Sequence, residues 1–158
     1  IVFLYRSEAQ RFLQYDLQAG SRLPAHCTGS GKVLLAARPD GVLRRMLENL
    51  EPAAMTSFTL VDREALWADL METRRRGHSV CDRELSLELF SIGVPVLGAD
   101  GQVSAAVNVS VSAEEPQQQR DNAIERILAL GRRLSNALGY DGPYPVIGPS
   151  SAEEEAFL

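Results

Sequence analysis

Cysteine is scarce in this chain of 158 residues, occurring only as Cys27 and Cys81. Two thiols without a framework spacing exclude a disulfide scaffold and fit a reduced, cytosolic protein. Long apolar runs are missing too. None approaches the roughly 20 residues that a membrane span needs. No basic leader with an apolar core and cleavage site opens the chain, so neither secretion nor membrane insertion is expected. Positive charge is also in deficit. Lys and Arg number 16 against 21 Asp and Glu, leaving a net charge of −5. With a pI near 5.1, this segment is not expected to grip nucleic acid by itself. The chain opens on Ile1-Val2-Phe3-Leu4-Tyr5 without a methionine, and it reads as a piece cut from a larger protein.

What is present is ordinary for a globular domain: 45% apolar and 23% charged residues. The length suits one domain that buries roughly two thirds of its unfolded surface. Strand signals fall at residues 1–6 and, with clean alternation, at 11–17. Residues 18–21 read as a turn, and 22–27 return extended, with Pro24 favouring a sheet edge. Thr28 or Gly29 then caps a helix through Val33, Leu34 and Leu35. Asp40 is the expected cap of a second helix carrying Val42, Leu43, Met46, Leu47 and Leu50 on one stripe. Asp62 opens a third helix and Gly77 stops it, with Arg74, Arg75 and Arg76 at a solvated end where the dipole favours cations.

Three β segments follow, at 79–85, 90–97 and 102–112, the last two joined by Gly98-Ala99-Asp100-Gly101, an Asp-Gly hairpin signal. In the last segment Val103, Ala105, Val107, Val109 and Val111 share one face, and Ser104, Ala106, Asn108, Ser110 and Ser112 the other. A final helix at about 116–138 has Ile124, Ile127, Leu128, Leu134 and Leu138 as its stripe and Gly139 as its end. Residues 140–158, rich in Gly and Pro and then acidic, read as a tail after a domain spanning 1–139. Short β–β connections with segregated helices predict an α+β fold with an antiparallel sheet, the architecture of small sensor domains.

"HCTGSGKVLLA" (26–36) is the most pointed stretch. A Walker loop fails on two fixed positions: His26 stands where its first glycine belongs, and Val33 where its hydroxyl belongs. The backbone logic survives, because Thr28-Gly29-Ser30-Gly31 opens a helix whose first N–H groups lack intrahelical partners. Spacing alone leaves two readings: an anion cradle, or a glycine-rich turn holding nothing. Lys32, one turn in, reads either as a ligand contact or as a side chain reaching solvent. His26 is a poor base for Cys27, since adjacent residues of extended chain point to opposite faces, and His78 is offset by three from Cys81. The two His and two Cys lack zinc-ligand spacing. No metal and no cofactor is expected, and the thiols read as small packing residues. A thiol-dependent hydrolase or transferase using Cys27 or Cys81 is the alternative function. The face carrying Asn108 and Ser110 is small, polar and free of charge, which suits the floor of a half-buried pocket.

"RLPAHCTGSGKVLLA" (22–36), "RRRGHSVCDREL" (74–85) and "IGVPVLGADGQVSAAVNVSVSA" (92–113) resemble, in order and spacing, the C-terminal effector-binding domain of IclR-type bacterial transcription regulators. The resemblance covers about 1–139. It is nearest the branch regulating aromatic-acid catabolism through protocatechuate and β-ketoadipate. It implies a GAF-like fold, no catalysis, and a small organic acid, aromatic by the nearest branch, as effector. It also implies a homodimer or homotetramer, and DNA contact only through an N-terminal winged helix-turn-helix that this chain lacks. The implied ligand-binding residues are Thr28, Gly29 and Ser30 at the helix start, with Cys81, Ser91, Asn108 and Ser110 from the sheet. The chain departs from the family pattern at Glu88, where Gly is common, at Phe90, where Arg is frequent, and at Cys81, where some members have Asp.

Overall fold

The alternation over 102–112 builds an edge strand of a three-stranded antiparallel sheet in the computed structural model, which describes residues 1–5, 7 and 19–149. The expected strand at 11–17 and residues 150–158 lie outside the described residues. Elements run α1 (Gly29–Ala36), α2 (Asp40–Glu48), α3 (Arg63–Arg76), β1 (Ser79–Asp82), β2 (Leu89–Leu97), β3 (Val103–Ser112) and α4 (Gln117–Ala137). The sheet order is β1-β2-β3. This is the α+β arrangement that the order of sequence signals predicts.

Alternation assigns the two faces of the sheet. Phe90, Ile92 and Val94 of β2, with Val107, Val109 and Val111 of β3, pack on Ile127, Ile124 and Leu128 of α4. Ile92 and Val94 are completely buried, and each such side chain contributes about 1.5–3 kcal/mol on leaving water. On the other face lies α1, with α3 packed over it in a core of Val33, Leu66, Leu70 and Leu43 of α2. Gly101, at φ +78°, closes the β2–β3 hairpin, where the amide of Gly98 donates to the Gln102 carbonyl at 2.9 Å. Asp62 caps α3 by accepting from the Ala65 amide, and Gly77 ends it in the left-handed conformation.

Several elements depart from the sequence reading. Residues 1–3 pair antiparallel with 20–23 around the Val2–Arg22 bridge, the Phe3 amide donating to the Ser21 carbonyl at 3.0 Å, a shorter pairing than the strand expected over 1–6. Pro39 takes the cap position of α2, and Asp40 is its first residue. The strand expected over 79–85 stops at Asp82, because Arg83 turns at φ +60° and Thr59 Oγ1 donates to the Glu84 carbonyl at 2.7 Å. Arg74 is not solvated. It donates to the Ala36 and Arg38 carbonyls at the end of α1 and pairs with Asp40 at 2.5 Å.

Leu134 and Leu138 are exposed, while Gly131 and Ser135 are buried in their place. Ser135 Oγ accepts from the Leu97 amide at 3.0 Å, so small residues let α4 approach β2. Residues 140–149 do not leave as a tail. Tyr144 Oη donates to the Pro95 carbonyl at 2.9 Å, and Ile147 joins the core beneath α1 and α3. Among the described residues no helix is long and apolar enough to cross a membrane.

Candidate functional site

The start of α1 is pressed against the middle of the sheet. A Cβ on Gly29 would lie 2.8 Å from the Gly93 amide nitrogen, and a Cβ on Gly93 would fall into the Gly29 carbonyl. Ser79 Oγ fixes this crossing by donating to the Gly29 carbonyl at 2.7 Å. Glycine at both positions is a requirement of contact between two backbones.

Thr28 holds the cap position of α1 without capping it. Its hydroxyl donates to the Pro24 carbonyl at 2.8 Å, so Thr28 makes no side-chain cap to the first amides of the helix. The first intrahelical bond is Lys32 to Thr28, so the amides of Gly29, Ser30 and Gly31 have no helical acceptor and sit at the positive end of the helix.

Facing these amides is a chain of neutral polar side chains. Ser30 Oγ donates to Asn108 Oδ1 at 2.9 Å. Asn108 Nδ2 donates to Ser110 Oγ at 3.4 Å, and Ser110 Oγ shares a hydrogen bond with Ser91 Oγ at 2.7 Å. Cys81 stands opposite Ser91 in the β1–β2 register. The seven residues expected from the resemblance are therefore brought to one region. Thr28, Ser30, Cys81 and Ser91 are buried, whereas Asn108 and Ser110 are half-buried. Such a floor donates and accepts hydrogen bonds without presenting a negative charge.

One contact that sequence reasoning left open is decided against solvent. Lys32 is fully buried, with Nζ 2.5 Å from Glu84 Oε1 and 2.8 Å from Asp69 Oδ2. Burial works to lower its pKa, but Cys81, Glu84 and Asp69 together outweigh burial and hold it above its ordinary value. Glu84 is pushed up by burial, against the pull of Lys32. Glu84 and Asp69 are the residues that sequence reasoning missed. The one available signal was Lys32 itself, three and four positions before the buried Leu35 and Ala36 on the same helical face.

The chemistry is not that of a thiol nucleophile. Burial, with Glu84 adding to it, pushes the Cys27 thiol up to about 11, and Cys81 is pushed up by burial as well. Nucleophilic cysteines need the opposite shift. His26 Nε2 lies 3.0 Å from the Ala53 carbonyl, and His78 Nδ1 lies 3.3 Å from the Arg76 carbonyl. Phe90, one departure from the family pattern, belongs to the α4 side of the sheet, beneath the Arg120 guanidinium at 4.4 Å.

Comparison with known proteins gives the family. The family model described as bacterial transcriptional regulator IclR C-terminal matches residues 1–136. The Pca regulon regulatory protein of Pseudomonas putida is 46% identical over 141 residues, which is 87% of this chain and 48% of that protein. The p-hydroxybenzoate hydroxylase transcriptional activator of Acinetobacter baylyi is 32% identical, over 86% of this chain and 49% of its own length. The chain thus spans about half the length of these curated relatives. Among solved structures, a transcriptional regulator from Rhodococcus sp. RHA1 superposes with a TM-score of 0.81 at 32% identity, covering 87% of this chain and 57% of that one. The inducer-binding domain of the PobR transcription factor from Acinetobacter, a double mutant in complex with 3-hydroxybenzoic acid, gives 0.71 at 31% identity, covering 83% and 74%. The family and these relatives are transcription regulators, not enzymes. The chain belongs to the family of C-terminal domains of IclR-type bacterial transcriptional regulators.

Proposed function

We propose that this domain senses a small aromatic carboxylic acid and thereby modulates DNA binding or activation by the longer protein. The observation that carries the reading is the uncapped start of α1 meeting the Ser30–Asn108–Ser110–Ser91 chain. The carboxylate takes the amides of Gly29 and Ser30, while Asn108 and Ser110 bond it from the sheet, with Thr28, Cys81 and Ser91 completing the wall. Each hydrogen bond to the charged group contributes about 1.5–3 kcal/mol. The aromatic assignment draws support from the regulator of p-hydroxybenzoate hydroxylase and from the inducer-binding domain complexed with 3-hydroxybenzoic acid.

DNA contact through an N-terminal domain and pairing of two copies, which would place two reading heads on one DNA face, belong to the same reading. So does a cytoplasmic location.

Thermal unfolding in the presence of aromatic and aliphatic acids tests the proposal. A ligand at about 100 times its Kd adds about 2.7 kcal/mol, or roughly 5–10 °C in Tm for a domain of this size. Benzoate or a hydroxybenzoate is expected to give that shift, and Asn108→Val to reduce it. If no aromatic acid shifts the parent protein, the reading fails.

A further inference from the structure

Glu84 is a buried carboxylate with one oxygen engaged and the other free. Its Oε1 holds Lys32 at 2.5 Å, whereas Oε2 is buried and accepts no hydrogen bond. The residue is only 6% exposed. A buried anionic oxygen without a donor forfeits its solvation, a cost that native structures rarely leave standing. The Leu60 amide also approaches the carboxyl as a hydrogen-bond donor, but not in a geometry that gives Oε2 a partner. The carboxyl is pushed up by burial, so its charged form still gains from a further donor.

The position of Glu84 decides what that donor is for. Lys32 lies two residues past Ser30 of the cradle, and its ammonium is held between Glu84 and Asp69. The charges of Lys32 and Glu84 both act on Cys81, which pairs with Ser91, itself bonded to Ser110. Glu84 is thus joined to α1, two residues past Ser30, through its hydrogen bond to Lys32.

We propose that Glu84 Oε2 accepts a hydrogen bond from a hydroxyl of the effector, making Glu84 a specificity-determining residue that selects hydroxylated aromatic acids over unsubstituted ones. The inference rests on the aromatic-acid reading above. In it the carboxylate is held at the helix start, and a ring hydroxyl at the far end donates to Glu84. Lys32 keeps the glutamate ionised and in place, acting as a positioning residue.

Calorimetry of the intact domain with benzoate, 3- and 4-hydroxybenzoate and 3- and 4-methoxybenzoate tests it, because a methoxy group accepts but cannot donate. One hydroxybenzoate is expected to bind roughly tenfold or more tighter than both benzoate and its own methoxy counterpart. In Glu84→Gln, which offers an amide N–H where an acceptor stood, that hydroxy-over-methoxy ratio is expected to fall by roughly tenfold, with the methoxy acid gaining.

Should the parent bind benzoate as tightly as both hydroxybenzoates, the inference is overturned while the aromatic-acid reading stands. That result needs no folded variant. Equal hydroxy-over-methoxy ratios in the parent and in a folded Glu84→Gln also overturn it. Absence of binding by all five acids overturns the aromatic-acid reading and this inference together.

Discussion

Cys27 and Cys81 show at the scale of single residues how a reactive type is made inert. Both are buried beside Glu84, and each loses thiolate in the folded state. The Cys27 thiol titrates near 11, so at about pH 8 only about one molecule in a thousand carries the thiolate, against roughly a quarter for an ordinary cysteine. Alkylation of the native domain by iodoacetamide at that pH is therefore expected to run on the order of a hundredfold slower than in the urea-unfolded chain. A thiol that labels at the unfolded rate while the fold is intact contradicts this account. Lys32 carries a different lesson. In sequence it stands between Gly31 and Val33, where a long flexible side chain reads equally as core-facing or solvent-facing. Its partners Glu84 and Asp69 come 52 and 37 positions later, and no local pattern links them.

The decisive feature among the elements is the crossing of α1 over β2. Helix α1 is only 8 residues long, too short to be stable by itself. It exists because Gly29 and Gly93 let its start lie directly on the strand. Gly93→Ala inserts a methyl into the Gly29 carbonyl, and overpacking of this kind costs typically about 1–3 kcal/mol. The expected outcome is a lower urea midpoint together with weaker acid binding, since the start of α1, whose Ser30 Oγ bonds Asn108, is displaced from the sheet. A Gly93→Ala protein with unchanged stability and affinity contradicts the close crossing. The same contact makes substitution of Gly29 a poor probe of its amide, because any Cβ there meets the Gly93 backbone.

Much of the element order was legible. The hairpin at Asp100-Gly101, the caps Asp62 and Gly77, and the two faces of β3 follow from local chemistry. The stripe of α4 was misread at its C-terminal half. Leu134 and Leu138 carry the hydrophobic signal, but the buried face is set by Gly131 and Ser135, whose small size admits Pro95 and Tyr144. Hydropathy counts apolar area and is blind to close approach. The strand beginning at Ser79 was read too long for a related reason: the turn at Arg83 is imposed by the distant Thr59 and Lys32.

For the whole molecule, charge and packing divide the labour. A net charge of −5 repels polyanions at long range. The proposed anion cradle would work locally against that field, with helix amides and neutral side chains. Residues 140–149 show how composition misleads at this scale. Their Gly and Pro content suggests a free tail, yet Tyr144 and Ile147 tie the segment to both sides of the sheet. The candidate site was legible only as a set of separated motifs, since the fold alone brings Ser30, Ser91, Asn108 and Ser110 into one hydrogen-bonded chain.

The central claim, that this assembly is built for a carboxylate, is tested most directly by calorimetry of the domain with benzoate and with benzamide, which match in shape and differ in charge. The account predicts that benzoate binds at least roughly tenfold tighter, the difference made by charge-assisted bonds at the α1 amides. Equal affinity for the two would contradict it.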